Sequence, residues 1–327
     1  MSAGMSAGMS ASISNTSWLQ SALHPAGPDA AVIAQLTWVL FIGGTLLFIG
    51  VMVLCAMSLR GGRPVRPMVW IVGGGVLLPL VLLSALLVFG TWRSAQLSKP
   101  TSQHAIKISV IARMWWWEVR YTDPAGGQDI VLANEIRVPL GQPVYLGLSS
   151  ADVIHSFWVP ALAGKVDMVP GRVHGMTLQA DRAGVYRAQC AEYCGEQHAR
   201  MALHVVAQSP AEFSAWLTAQ ARPAASVAQG GEVERGRRAF EDQRCAACHA
   251  IRTGAKAGDG GAALGPDLTH IGSRLYLGAG TLRNGQGALA AWIADPHVAK
   301  PGVRMPASAD MDGATLRALA AYLEQLK

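Results

Sequence analysis

Charge is the scarcest commodity in the first third of this chain. No Asp, Glu, Lys or Arg interrupts residues 30–59 or 68–92, and no Lys or Arg precedes Arg60. Each run exceeds the roughly 20 apolar residues that carry a helix across about 30 Å of hydrocarbon, so two transmembrane helices are expected. The missing basic residues exclude the positively charged start that a secretory signal peptide needs. Residues 1–29, which open on a Met-Ser-Ala-Gly repeat, are instead expected to form a flexible exported tail. Over all 327 residues only 15% are charged against 51% hydrophobic, too apolar a balance for a wholly soluble protein. The net charge of +6 is spread without any Lys/Arg run, which argues against nucleic acid as a partner.

What basic residues there are fall between the two apolar runs, at Arg60, Arg63 and Arg66. The positive-inside rule then puts that connection in the cytoplasm and both chain ends on the outer side of the membrane. Five cysteines occur. Cys55 lies in the first apolar run and reads as a small buried hydrophobe, which leaves two pairs.

The first pair sits in Cys190-Ala191-Glu192-Tyr193-Cys194-Gly195-Glu196-Gln197-His198-Ala199-Arg200-Met201. Twelve residues there offer two thiols, an imidazole, a thioether and two carboxylates. Soft sulfur with imidazole suits copper far better than magnesium, calcium or manganese. A zinc site and a local Cys190–Cys194 disulfide remain alternatives at this point. A second imidazole, His155, lies in the apolar run Asp152–Pro160, which reads as a strand and its following turn.

From Ile106 to Val206 the texture is one of short alternating runs separated by Gly, Pro and Asp: 106–110, 115–121, 130–138, 143–148, 172–179, 184–189 and 202–206. Such spacing predicts an all-β sandwich or barrel. In Arg113-Met114-Trp115-Trp116-Trp117-Glu118, strand geometry would put Trp115 and Trp117 on one face and Trp116 on the other. After an amphipathic stretch, 211–220, the Ala/Ser/Gly/Pro-rich residues 222–231 read as a linker.

The second pair opens the next module: Cys245-Ala246-Ala247-Cys248-His249 is the attachment signature of a c-type haem, with His249 under the iron. Helical patterns over 233–243 and 315–326 flank it, the latter with Leu316, Leu319, Ala320 and Leu323 on one face. Met305, in Lys300-Pro301-Gly302-Val303-Arg304-Met305-Pro306, is the expected sixth ligand, with Met311 as the alternative; His/Met ligation raises the haem potential.

His155 with Cys190-x-Glu192-x-Cys194-x3-His198-x2-Met201 resembles the binuclear CuA site of cytochrome c oxidase subunit II, and the Cys-x2-Cys-His module resembles a class I cytochrome c fused behind it. The resemblance implies a multidomain chain. Its parts are a tail (1–29), a transmembrane hairpin (30–92), an all-β cupredoxin-like Greek-key domain (93–221), the linker (222–231) and an all-α cytochrome c domain (232–327). It implies that Cys190 and Cys194 bridge two coppers, with His155 and His198 terminal, Met201 axial on one copper and the Glu192 carbonyl on the other. The Glu192 side chain would also reach a magnesium or manganese at the subunit interface, and Trp115 would lie above CuA and pass electrons inward. Asp167 and Arg172 are similar to a family segment that docks on the catalytic subunit. The implied function is electron transfer from cytochrome c or a quinol-cytochrome c reductase, through haem c and CuA, to a haem-copper subunit I that reduces oxygen. The alternatives are the corresponding subunit of a nitric oxide reductase, or a membrane-anchored copper-binding assembly protein. One departure stands out: Arg66-Pro67-Met68-Val69-Trp70 lacks the Glu with which many relatives begin a proton path.

Overall fold

A computed structural model of the chain describes residues 20–61, 66–97, 105–123, 126–127, 129–224, 230–252 and 264–327. Most of the expected tail, Arg63 and the middle of the expected linker lie outside the described residues.

The two charge-free runs form helices. The first, α1, spans Pro28–Leu59. The second begins in π register over Val69–Leu77 and continues as α2, Leu78–Ser94. Leu78 donates to the Gly73 carbonyl five residues back, and Pro79, with no N–H to give, follows at once; a register change of this kind is how a helix accommodates a missing donor. Arg93 donates to Gln35, tying the C-terminal end of α2 to the first part of α1. Residues 20–29, expected to belong to a flexible tail, are held instead. Ala26 exchanges hydrogen bonds with Ala161 and Asp181 at 2.7 Å each, and Pro25 accepts from Arg182. A Cβ on Gly27 would overlap the Gln179 carbonyl, so only glycine allows this approach.

The β domain is a sandwich of two five-stranded sheets. One has the order β3-β2-β1-β5-β8, from Ile130–Ala133, Trp116–Tyr121, Ile106–Arg113, Val144–Ser150 and His174–Leu178. The other has the order β4-β10-β9-β6-β7, from Glu135–Pro139, Ala202–Gln208, Gly184–Cys190, His155–Trp158 and Val166–Met168. Parallel pairs β1/β5 and β4/β10 among antiparallel neighbours give it the cupredoxin-like Greek-key form. Alternation drives the packing: Val144, Leu146 and Leu148 of β5 and Trp117, Val119 and Tyr121 of β2 are fully buried between the sheets.

The sequence run 130–138 reads as one strand but is two, in different sheets. Asn134 adopts φ 59°, a left-handed conformation Asn tolerates, and its side chain accepts from Trp117 N at 2.9 Å. The chain turns there and β4 leaves for the second sheet. A capping box at Ser209 and Glu212 starts α3, Pro210–Ala221, whose Phe213 and Trp216 pack on Tyr121.

The C-terminal module is helical, with α4 (Gly231–Asp242), α5 (Gln286–Ala294), α6 (Pro296–Ala299) and α7 (Gly313–Gln325). Its first and last long helices cross at Gly236, where any Cβ would overlap the Ala318 carbonyl oxygen, and Phe240 meets Tyr322 edge to face at 6.1 Å. Asp312 caps α7 by accepting from Ala314 and Thr315.

Candidate metal and haem sites

The sandwich presents a cluster of soft donors at one end. His155 begins β6, Cys190 ends β9, and Met201 immediately precedes β10, with Cys194 and His198 on the loop between. Pairing of Phe157 with Cys190 and a 3.0 Å bond from Cys190 N to the Met201 carbonyl fold these segments together. As a result the two thiol sulfurs lie 3.7 Å apart. Cys190 Sγ is 3.8 Å from His155 Nδ1 and Cys194 Sγ is 3.8 Å from His198 Nδ1. Met201 Sδ lies 3.9 Å from Cys194 Sγ, and the Glu192 carbonyl 3.2 Å from Cys190 Sγ. A disulfide needs about 2.05 Å between sulfurs, so the cysteines here are free. Every donor expected from the sequence is in this one place, and the set fits a soft metal such as copper.

The protonation of these donors follows from their crowding. The Cys190 thiol is held well below its ordinary range, first by the hydrogen bond with Cys194, with His155 and the Ser156 and Glu192 backbone adding to it against burial. The Cys194 thiol is pushed far up, because its proton is shared with Cys190 and because it is buried.

Asp152 is the residue that sequence reasoning left without a role. Its Oδ1 lies 2.8 Å from His155 Nε2 and its Oδ2 accepts from Met114 N at 2.7 Å. Burial works to lower the basicity of His155, but hydrogen bonds to Cys190 and Asp152 raise it on balance. Burial likewise favours a neutral Asp152, yet the hydrogen bonds from His155, Met114 and Val153 hold its carboxyl below the usual range. Its only signal was a carboxylate three residues before a candidate ligand.

Trp115 is not on a strand, contrary to the expected face-sharing with Trp117. It occupies the turn before β2, half-buried, where its indole Nε1 donates to the Cys194 carbonyl at 2.8 Å and its ring covers Gly195. The strand alternation does hold for Trp116 and Trp117, and Trp117 is fully buried. Glu192 is half-buried, while Asp167 and Arg172 are exposed.

In the C-terminal module Cys245 is half-buried, Cys248 exposed, and His249 Nδ1 donates to the Pro266 carbonyl at 2.7 Å. Burial lowers the basicity of His249, the carbonyl acting in the opposite sense. A neutral ring fixed through Nδ1 leaves Nε2 free, which fits an axial iron ligand. Gly265 lies so close under that ring that a Cβ would fall 2.6 Å from it. Met305 and Met311 both pack on the apolar core of this module. His270 is engaged elsewhere, by the Arg222 carbonyl.

The two modules meet at the sulfur-rich loop. Lys300 Nζ donates to the Trp115 carbonyl at 2.7 Å and Arg200 to the Ala299 carbonyl at 3.1 Å. Burial lowers the basicity of Lys300 to about 7, with Cys194 opposing and Arg200 adding. Beside this, a hairpin of β11, Tyr276–Leu277, and β12, Leu282–Arg283, lies on β10. Ala202 N donates to Ala279 O, Leu275 N to Glu135 Oε2, and the His204 and Tyr276 rings stack 3.9 Å apart.

Comparison with known proteins agrees with both halves. Residues 124–208 match the family "Cytochrome C oxidase subunit II, periplasmic domain", and residues 233–327 match the cytochrome c family. The chain is 36% identical to cytochrome c oxidase subunit 2 of Alkalihalophilus pseudofirmus over 252 residues, 76% of this chain and 70% of that one. It is 32% identical to cytochrome c oxidase subunit 2 of Bacillus subtilis over 69% of this chain and 64% of that one. Among solved structures, the periplasmic domain of subunit II of cytochrome oxidase (CoxB) of Bradyrhizobium japonicum is 27% identical and covers 37% of this chain and 96% of that chain, at a TM-score of 0.34.

Proposed function

From a chain that belongs to the cytochrome c oxidase subunit 2 family, we infer an electron relay built on one polypeptide, running from a covalent haem c to a binuclear CuA centre. The chain is a membrane-anchored part of an oxidoreductase complex with other oxidase subunits, and its two kinds of domain imply copper and haem c. One observation carries the finer reading: two free thiols 3.7 Å apart, each 3.8 Å from its own imidazole Nδ1, with a thioether and a carbonyl at the ends of the cluster. Two sulfurs so placed can each bridge two metals, which neither a zinc site of four separate ligands nor a disulfide requires.

In this reading Cys190, Cys194, His155, His198, Met201 and the Glu192 carbonyl would together hold the copper centre. Cys245 and Cys248 anchor the haem, with His249 and Met305 on its iron. Bound there, copper and haem supply reversible one-electron chemistry at nearly fixed geometry. The residues of the chain hold that geometry: Asp152 orients His155, Pro266 orients His249, and Trp115 covers the loop between the modules. The Glu192 side chain is a candidate ligand for magnesium or manganese at the contact with subunit I. Electrons arrive from an upstream cytochrome c or quinol-cytochrome c reductase and leave for the haem-copper subunit, where oxygen is reduced to water. In this reading, which follows the positive-inside rule, the arginine-bearing connection lies in the cytoplasm and both metal-bearing domains on the periplasmic side of the inner membrane. Tethering holds donor and acceptor at an effective concentration on the order of millimolar.

Metal and haem analysis of the purified complex with electron paramagnetic resonance tests this reading. The expected result is two coppers and one covalent haem per chain with a mixed-valence two-copper signal. One exchangeable copper and no covalent haem would overturn it in favour of an assembly role.

A further inference from the structure

Lys300 is 2% exposed, yet among the described residues no carboxylate lies within ion-pair distance of its ammonium. A buried charge without a counterion is costly, and a Lys at a domain surface has the reach to escape to water. This one does not. It crosses from the C-terminal module to the β domain and donates to the Trp115 main-chain oxygen at 2.7 Å. Trp115 in turn donates from Nε1 to the Cys194 carbonyl at 2.8 Å. Two hydrogen bonds therefore connect a side chain of one module, by way of Trp115, to a thiol-bearing residue of the other. Lys300 is itself fixed from behind, its N–H bonded to Pro296 O at 2.9 Å and its carbonyl accepting from Val303 N at 3.2 Å, five residues before Met305. The neighbouring contacts frame the same corner: Arg200 bonds the Ala299 carbonyl, and the Glu196 carboxylate lies against Gly302 so closely that a Cβ there would overlap it.

We propose that Lys300 is a positioning residue for electron transfer between the two modules, seating the haem module on the copper loop by fixing the Trp115 main chain. The proposal rests on the relay reading and deepens it. Lys300 sets how the donor module is registered against Trp115 and the Cys194 segment, and the single electron passing from reduced haem to oxidised copper is balanced without any group added or lost.

The test compares Lys300→Met, which removes the donor, with Lys300→Arg, which keeps one, in the whole metal- and haem-loaded complex. Flash-initiated absorbance kinetics read the one-electron transfer between the modules. Lys300→Met is expected to slow transfer at least tenfold while both the copper and haem spectra stay as in the parent, and Lys300→Arg to restore the rate to within about threefold. A Lys300→Met rate within twofold of the parent overturns the proposal and leaves the relay intact, whereas absence of transfer in the parent removes the relay itself. A second measurement stands apart from folding of the variants: amine-reactive labelling of the parent chain followed by mass spectrometry. Lys300 is expected to react at least tenfold more slowly than the exposed Lys107 and Lys165; equal reactivity would show that the latch is not engaged and sink the idea.

Discussion

The Asp152 carboxylate lies 2.8 Å from His155 Nε2, so the opposite ring nitrogen, Nδ1, is the one that faces Cys190. The same carboxylate accepts from the Met114 amide, joining the orientation of the imidazole to the turn that carries Trp115. Partners of this kind set ring orientation and basicity, and losing one typically weakens metal affinity by about 10 to 100-fold. Asp152→Ala is therefore expected to lower copper affinity by about that factor, read by competition against a chelator of known affinity. Unchanged affinity and an unchanged copper spectrum would show the hydrogen bond to be incidental.

The modular division makes a separate prediction. His249 belongs to the C-terminal module and Met201 to the β domain. His249→Ala is expected to abolish the low-spin haem absorption and leave the copper signal. Met201→Leu is expected to shift the copper spectrum and potential and leave the haem band. Loss of both signals in either variant would show that the two centres fold as one unit.

Much of this was legible in the residue order, for physical reasons that differ by region. The membrane helices show because hydrocarbon tolerates no unpaired charge over residues 30–59 or 68–92, a local rule. The donors show because soft-metal chemistry restricts the residue types in 190–201. What stayed hidden is non-local. Residues 130–138 alternate like one strand, and only the bond from Trp117 N to the Asn134 side chain reveals where the chain changes sheets. Trp115 lies in a turn because Cys194 and Lys300 claim its indole and its carbonyl, and both partners are at least 79 residues away. Lys300 itself sits in a segment that reads as an ordinary haem-module loop, with nothing in its neighbours to announce burial.

Gly236 carries the packing of the C-terminal module. The carbonyl of Ala318 occupies the space a side chain would need, and backbone cannot move aside as a flexible side chain can. Gly236→Ala gains helix propensity worth under about 1 kcal/mol but forces α4 and α7 apart, an overpacking cost of about 1 to 3 kcal/mol. The net expectation is a lower unfolding temperature for the haem module, with the β domain's copper spectrum retained. A calorimetric scan showing equal or higher stability would mean the helices separate more easily than the close approach implies.

The contact between modules should also weaken in acid, through His204. Its ring is 7% exposed and stacks on Tyr276 of the opposite module, with Glu135 and Arg187 as its cross-strand neighbours in β4 and β9. Burial, reinforced by Arg187, lowers its basicity from the ordinary 6.5 to about 4. Between those two values an exposed His204 takes up a proton and the stacked one does not. The exposed state therefore gains stability as pH falls through that window, and the stacked arrangement is fully favoured only above about 6.5. The shift corresponds to at most about 3 kcal/mol, comparable to what a modest interface has to spare. Acidifying from pH 7 to 5 is expected to raise hydrogen exchange, taken relative to the intrinsic amide rate at each pH, in residues 275–280 and in β10, and His204→Phe, which keeps the stack without the titrating nitrogen, is expected to abolish that rise. If exchange rises equally in both proteins, the acid response comes from other groups.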